Sequence, residues 1–178
     1  MKKFNTAAFL PCLTSLALTG YVHAASVATA TLEVQATVVS SCKIEVASNI
    51  DFGNYVPDQD KYGQGTLRVT CIKGDAPIVS LLGGGDQVGD RKLTYGSETI
   101  DYSLYQPTNG TTACVEGSLK TLWGANAGAG TDTGNRLQLT AFTEYVSRDY
   151  SVCGKIDKGQ NNLSKGTYKG TVTAQVEY

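Results

Sequence analysis

The 178-residue chain carries 15 Lys or Arg against 16 Asp or Glu, a formal net charge of −1, so nothing in its balance attracts a polyanion and no nucleic-acid partner is expected. Its one histidine, His23, falls in a leading segment that reads as removable, which sets aside Ser-His-Asp and Cys-His constellations and imidazole zinc sites. Twenty glycines and five cysteines describe an exported, turn-rich chain.

In that leading segment Lys2 and Lys3 precede an apolar run, 7–18, and Val22-His23-Ala24 supplies the small residues of a secretory cleavage site. The run is too short for a membrane span, and Pro11 stands where a lipid anchor on Cys12 would need a small residue. Residues 1–24 are therefore expected to be a signal peptide. Its removal leaves 13 basic against 16 acidic residues, a net charge of −3, and about 154 residues, enough for one domain with a real core.

Next, 28–38 reads A-T-A-T-L-E-V-Q-A-T-V. Ala28, Ala30, Leu32, Val34, Ala36 and Val38 alternate with Thr29, Thr31, Glu33, Gln35 and Thr37, the period-two pattern of a half-buried strand. At ~3.3 Å per residue it would run roughly 36 Å, about twice an ordinary strand. Either one strand serves two purposes or its first half belongs outside its own fold. Ser40-Ser41-Cys42 interrupts the alternation and Lys43 to Val46 resumes it. Ile50 and Phe52 then share a face before Gly53 permits a bend, and Pro57 ends that segment.

Further strands are expected at 65–72, 78–82, 92–95, 99–106, 113–123, 136–145, 150–156 and 166–178, the last with Tyr168, Val172, Ala174, Val176 and Tyr178 on one face. No useful window shows helical periodicity, and the glycines sit mostly between β runs. The expectation is an all-β sandwich of about seven to nine strands from residue 36 onward.

Chemistry-bearing motifs are weak. Asp58, Asp60 and Gly63 occupy the first, third and sixth positions of a calcium loop, but the twelfth is Val69, within an expected strand. Paired loop carboxylates such as Asp58 and Asp60 read as solvated charges. The glycine-rich 124–134 lacks the Gly-Lys-Ser/Thr ending of a phosphate loop. Asn109-Gly110 reads as a hairpin turn. No catalytic, metal or cofactor-binding residue is expected, no cofactor, and no enzyme. Once Cys12 leaves, Cys42, Cys71, Cys114 and Cys153 remain, none in a C-x-x-C pair. They read as structural, with three possible connectivities.

Three segments together resemble the spore coat protein U domain. They are the alternating strand followed by Cys42-x-Ile44 and Ile50-Asp51-Phe52-Gly53-x-Tyr55-x-Pro57; Tyr102-Ser103-Leu104-Tyr105 with Thr121-Leu122-Trp123-Gly124; and Gly154-Lys155-Ile156, Gly159-Gln160 and the run from Gly166 to Tyr178. The family includes subunits of archaic chaperone-usher pili. The resemblance implies an incomplete immunoglobulin-like β-sandwich, completed by a donor strand from a neighbouring subunit. It implies a Cys42–Cys71 bridge shared with relatives. Where the family commonly has Tyr-Gly, this chain has Cys153-Gly154, a departure that with Cys114 implies a second bridge, Cys114–Cys153.

On that resemblance residues 25–36 are the donor segment, presenting Ala28, Ala30, Leu32, Val34 and Ala36, and residues 37–178 the pilin domain. Val172, Ala174, Val176 and Tyr178 of the C-terminal strand would border the acceptor groove. The implied partners are a periplasmic pilus chaperone, an outer-membrane usher and other pilin subunits, and the implied location is the cell surface, reached through the periplasm. The competing reading is a secreted coat or glycan-binding sandwich that does not polymerise and uses aromatics such as Tyr62, Tyr95 or Trp123.

Overall fold

The computed structural model describes residues 25–83, 90–106, 114–119, 121–125 and 135–178. The expected signal peptide, the Asn109-Gly110 turn and most of the 124–134 loop lie outside the described residues. Residues up to Thr37 and residues from Val38 onward are separate units. In the first, residues 25–37 adopt no regular secondary structure and every one is exposed.

The second unit holds eight strands among the described residues: β1 (Cys42–Ser48), β2 (Lys61–Cys71), β3 (Ile78–Leu82), β4 (Arg91–Tyr95), β5 (Glu98–Tyr105), β6 (Leu137–Gln138), β7 (Val146–Ile156) and β8 (Thr173–Glu177). They form a five-stranded sheet, β1-β2-β7-β5-β4, and a three-stranded sheet, β6-β3-β8. Every strand pairing is antiparallel.

The spine is the β2–β7 pair, in register over eleven residues from Lys61↔Ile156 to Cys71↔Val146. Along β2 the parity is clean: Gly63, Gly65, Leu67, Val69 and Cys71 are buried, while Arg68 and Thr70 pair outside with Asp149 and Ser147 of β7. Inward residues of β2, β5 and β7 meet Val79 and Leu81 of β3 in one core with Trp123, Leu139 and Phe142. Trp123 ties the sheets together. Its backbone N–H donates to Leu104 O of β5 at 2.8 Å and its indole N–H to Val79 O of β3 at 3.0 Å, so the buried ring leaves no donor unpaired.

Both disulfides are present. Cys42–Cys71 joins directly opposed residues of β1 and β2, and Cys114–Cys153 fastens the segment after β5 to β7.

Several sequence expectations shift. The alternating 28–38 stretch forms no strand, and β1 begins only at Cys42. The physical reason is that alternation describes a face, while a strand also needs a partner for its N–H and C=O groups. Within 113–123 the described residues hold a turn and a single bridge, Tyr105↔Leu122. The expected strands 136–145 and 150–156 become the two-residue β6 and a long β7 that starts at Val146.

Candidate functional site: an open groove between two unpaired strand edges

The β1–β2 register shifts between Val46 and Ser48, and β1 ends at Ser48. The chain then crosses the inward face of the large sheet as Asn49-Ile50-Asp51-Phe52. It can lie that close because three glycines make the floor: Gly63 and Gly65 in β2, and Gly154, opposite Gly63, in β7. A Cβ on Gly65 would stand 2.7 Å from Ile50 Cγ1 and 3.0 Å from Ser48 O, and one on Gly154 2.6 Å from Phe52 Cζ. Gly53, at φ 62°, lets the chain turn away, with its N–H held by Asp51 Oδ1 at 2.7 Å.

Across the sandwich the chain returns through Tyr168–Thr171 into β8. Thr94 and Lys169 exchange two backbone hydrogen bonds, of 2.8 and 3.0 Å, which hold the returning segment against β4. The Tyr168 hydroxyl donates to Glu98, and its ring lies 5.5 Å from that of Tyr95. Glu98 also accepts from the Ser164 N–H and hydroxyl, and these donors hold its carboxyl below the usual carboxylate range. Desolvation pushes the Tyr168 phenol up, and Glu98 adds to the shift. The Gln160 side chain pairs with both the N–H and C=O of Asp101, at 2.7 and 2.9 Å. It thereby completes β5 where β7 does not reach.

Between these two walls an open groove of about 690 Å³ runs through the sandwich. Its base is apolar: Leu67, Tyr102, Leu104 and Val152 from the large sheet, and Leu81 from the small one. One wall is Val46, Ser48, Ile50 and Phe52; the other is Tyr168, Gly170, Val172 and Ala174; Leu93 and Thr94 close an end. Among the described residues that line it, Lys169 alone is charged, and it is exposed. Tyr102 is pushed above the ordinary tyrosine pKa by burial, with the Arg91 charge opposing the shift.

The groove exists because two strands stop short of each other. Among the described residues β1 pairs only with β2, and β8 only with β3. The two approach across the gap, each presenting an edge of unpaired backbone groups. Val46 shows the consequence. It opposes Leu67 and by parity faces inward, yet it is 61% exposed because none of the described residues covers it. Val172, Ala174 and Val176 alternate as expected and are half-buried, with exposed Thr173, Gln175 and Glu177 between them. Val172 and Ala174 line the groove; Val176 opposes Val79 and packs against the core, and Tyr178 lies beyond β8, 61% exposed. Leu32 and Val34 are each 85% exposed, and Ala28, Ala30 and Ala36 are exposed with them.

Sequence reading missed the groove's Val46, Leu93 and Thr94, whose inward faces look like ordinary strand alternation. It also placed Gly65 and Gly154 inside expected strands and Gly63 in a calcium-like loop without recognising the three as a floor. The signal was present in Gly-x-Gly within an otherwise strand-like run. The site can bind an extended apolar segment by adding it to a sheet edge. The Asp60 carboxylate of the calcium-like loop is engaged with the Lys158 N–H and the Lys155 ammonium, each at 2.9 Å.

Comparisons agree with this geometry. The family described as Spore Coat Protein U domain matches residues 28–175. Comparison with curated protein sequences returned no match. Among solved structures, the chain resembles one from the CsuC-CsuE chaperone–tip adhesion subunit pre-assembly complex of archaic chaperone-usher Csu pili of Acinetobacter baumannii. The TM-score is 0.53 at 21% identity, over 80% of this chain and 41% of that one. The chain thus spans less than half the length of its structural neighbour. The likeness is one of fold, an incomplete immunoglobulin-like sandwich.

Proposed function

The chain belongs to the spore coat protein U domain family, and from that premise we propose that it is a non-catalytic structural subunit of a chaperone-usher surface pilus, joined to its neighbours by donor-strand exchange. The observation that carries this reading is the unfilled apolar groove between the free edges of β1 and β8. The occupant is residues 25–36 of a neighbouring subunit, with Ala28, Ala30, Leu32, Val34 and Ala36 turned into the groove. Thr29, Thr31, Glu33 and Gln35 face outward, since a shift by one would bury the charge of Glu33.

Magnitudes explain why assembly needs help. Burying Leu32 and Val34 contributes ~1.5–3 kcal/mol each, while ordering each backbone residue costs ~1–2 kcal/mol. Side-chain burial alone does not win; a preformed groove and a full ladder of edge hydrogen bonds must add to it. A periplasmic pilus chaperone supplies that preformation and covers an edge that would otherwise aggregate. The first donor contact at the outer-membrane usher then displaces it. Residues 1–24 direct export, and the assembled pilus serves adhesion and biofilm formation at the cell surface.

The alternative of a non-polymerising glycan-binding sandwich loses one of its aromatics, because Trp123 is fully buried and spends its N–H on Val79 O. The test is a chaperone-bound subunit challenged with a synthetic peptide of residues 25–37. The peptide should displace the chaperone, and the same peptide with Leu32→Asp and Val34→Asp should not. Equal displacement by both would contradict the reading.

A further inference from the structure

Just after the first unit ends, the chain is gripped by one carboxylate. Ser40 Oγ donates to Asp75 Oδ1, and the Ser41 N–H donates to Asp75 Oδ2 at 3.1 Å. Ser41 O in turn accepts the Ile72 N–H at 3.1 Å. Asp75 is itself fastened to the core: its carbonyl accepts from the N–H of Phe142, a fully buried residue, at 2.9 Å, and its own N–H donates to Ile72 O at 3.2 Å. One residue beyond the grip, the Cys42–Cys71 disulfide and the first β1–β2 pairing form a second, covalent stop.

Asp75 binds two consecutive residues ahead of the first β1–β2 pair, Cys42↔Cys71, where the single backbone bond from the Ile72 N–H to Ser41 O is the other hold on the chain. Its carboxylate thus acts where the chain stops being free. We propose that Asp75 is a positioning residue that ends the N-terminal tether at Ser40, so that three residues, Thr37 to Val39, and not five join the donor segment to the sandwich. This rests on the donor-strand reading above. A three-residue link spans at most ~11 Å, and release as far as Cys42 adds ~7 Å. The grip therefore fixes how far one subunit sits from the subunit it enters, and keeps the donor at a high effective concentration over a narrow range of distances.

The experiment compares wild type, Asp75→Ala, Asp75→Asn and Ser40→Ala, as disulfide-intact chaperone complexes and as assembled filaments. In the complexes, exchange of the Ser41 amide should accelerate about tenfold or more in Asp75→Ala, as loss of a hydrogen bond to a charged group implies, while β2–β7 amides stay unchanged. Ser40→Ala and Asp75→Asn, which each keep one acceptor contact, should show a smaller change. In filaments imaged by electron cryo-microscopy, Asp75→Ala should lengthen or broaden the subunit-to-subunit spacing by up to ~7 Å at unchanged melting temperature, with Asp75→Asn partly restoring it. Should Asp75→Ala fail to fold, Ser40→Ala decides on the same two readouts. Unchanged spacing, with or without faster exchange, overturns the role given to Asp75. A wild-type subunit that never polymerises overturns the donor-strand reading and the tether with it, an outcome distinct from filaments of unaltered spacing.

Discussion

The ring of Phe52 occupies the space that a side chain on Gly154 would need: a Cβ there would stand 2.6 Å from Phe52 Cζ and 2.9 Å from Cε1. The groove wall at 49–52 thus depends on the absence of three side chains from the sheet beneath it, at Gly63, Gly65 and Gly154.

The first prediction separates two of those glycines. Gly154→Ala meets the end of an aromatic ring, which can swing, whereas Gly65→Ala meets Ser48 O and Ile50 N, backbone atoms at 3.0 and 3.2 Å. Both substitutions overpack, with costs of ~1–3 kcal/mol. Gly65→Ala should fall at the upper end, and denaturant unfolding should rank it below Gly154→Ala in stability. The reverse order would contradict the close approach of 48–50 to β2.

A second prediction concerns Val46. Because it is already 61% exposed, Val46→Asp should change the stability of the chaperone-free domain by less than ~0.5 kcal/mol. On the donor-strand proposal the same substitution places a charge against the donor side chains, so donor uptake should fall at least about tenfold, a cost of ~1.4 kcal/mol or more. Binding of the 25–37 peptide measures the second effect and thermal unfolding the first. A large stability loss with unchanged uptake would put Val46 in the core and not in the groove.

The bridges carry a third. Cys42–Cys71 closes 29 residues and Cys114–Cys153 closes 39, for which chain-entropy estimates are about 3.5 and 4 kcal/mol. Either loss is a large share of the ~5–15 kcal/mol that holds a domain folded. Paired Cys→Ser replacement at one bridge should lower the unfolding free energy by roughly those amounts, and replacement of all four should leave no cooperative transition at 37 °C. A four-serine variant with wild-type melting would contradict a structural role.

The fourth is a pH dependence. The Lys158 N–H and the Lys155 ammonium hold the Asp60 carboxyl below its ordinary value, so its contribution is present above the unfolded carboxylate pKa of ~4 and is lost as pH falls through the lower folded value. Lys155, bound to Asp157 at 2.6 Å as well as to Asp60, is raised above the usual lysine range. Its contribution is full below ~10.4 and is lost as pH rises through the folded value. This cluster therefore gives a stability plateau between about pH 5 and pH 9. Asp60→Asn should flatten the acid limb of melting temperature against pH; an acid limb identical to wild type would contradict the assignment.

Much of the sandwich was readable because burial enforces parity: Leu67, Val69 and Cys71 in β2, and Ile100, Tyr102 and Leu104 in β5, announce their inward faces. What misled were features decided by partners. Residues 28–38 alternate over eleven positions and form no strand, because no ladder partner meets them among the described residues. Arg148 and Asp149 hid the start of β7. Arg148 donates to Thr140 O and covers the Phe142 ring at 4.0 Å, and Asp149 pairs with Arg68, so the charges belong to the strand's surroundings, which sequence does not display. A groove beside β8 is what the family resemblance implies, and Val172 and Ala174 line the groove described above, but nothing in the sequence points to its other wall. Ile50 and Phe52 share a face in sequence, whereas their position depends on which glycines lie under them.

The most direct test of the proposed assembly is co-expression of the full chain with a periplasmic pilus chaperone, followed by size analysis without boiling. The account predicts a ladder of subunit multiples for the wild type, and for Leu32→Asp/Val34→Asp a chaperone–subunit complex with no ladder. Abundant soluble monomer made without any chaperone, unaffected by those two substitutions, would contradict it.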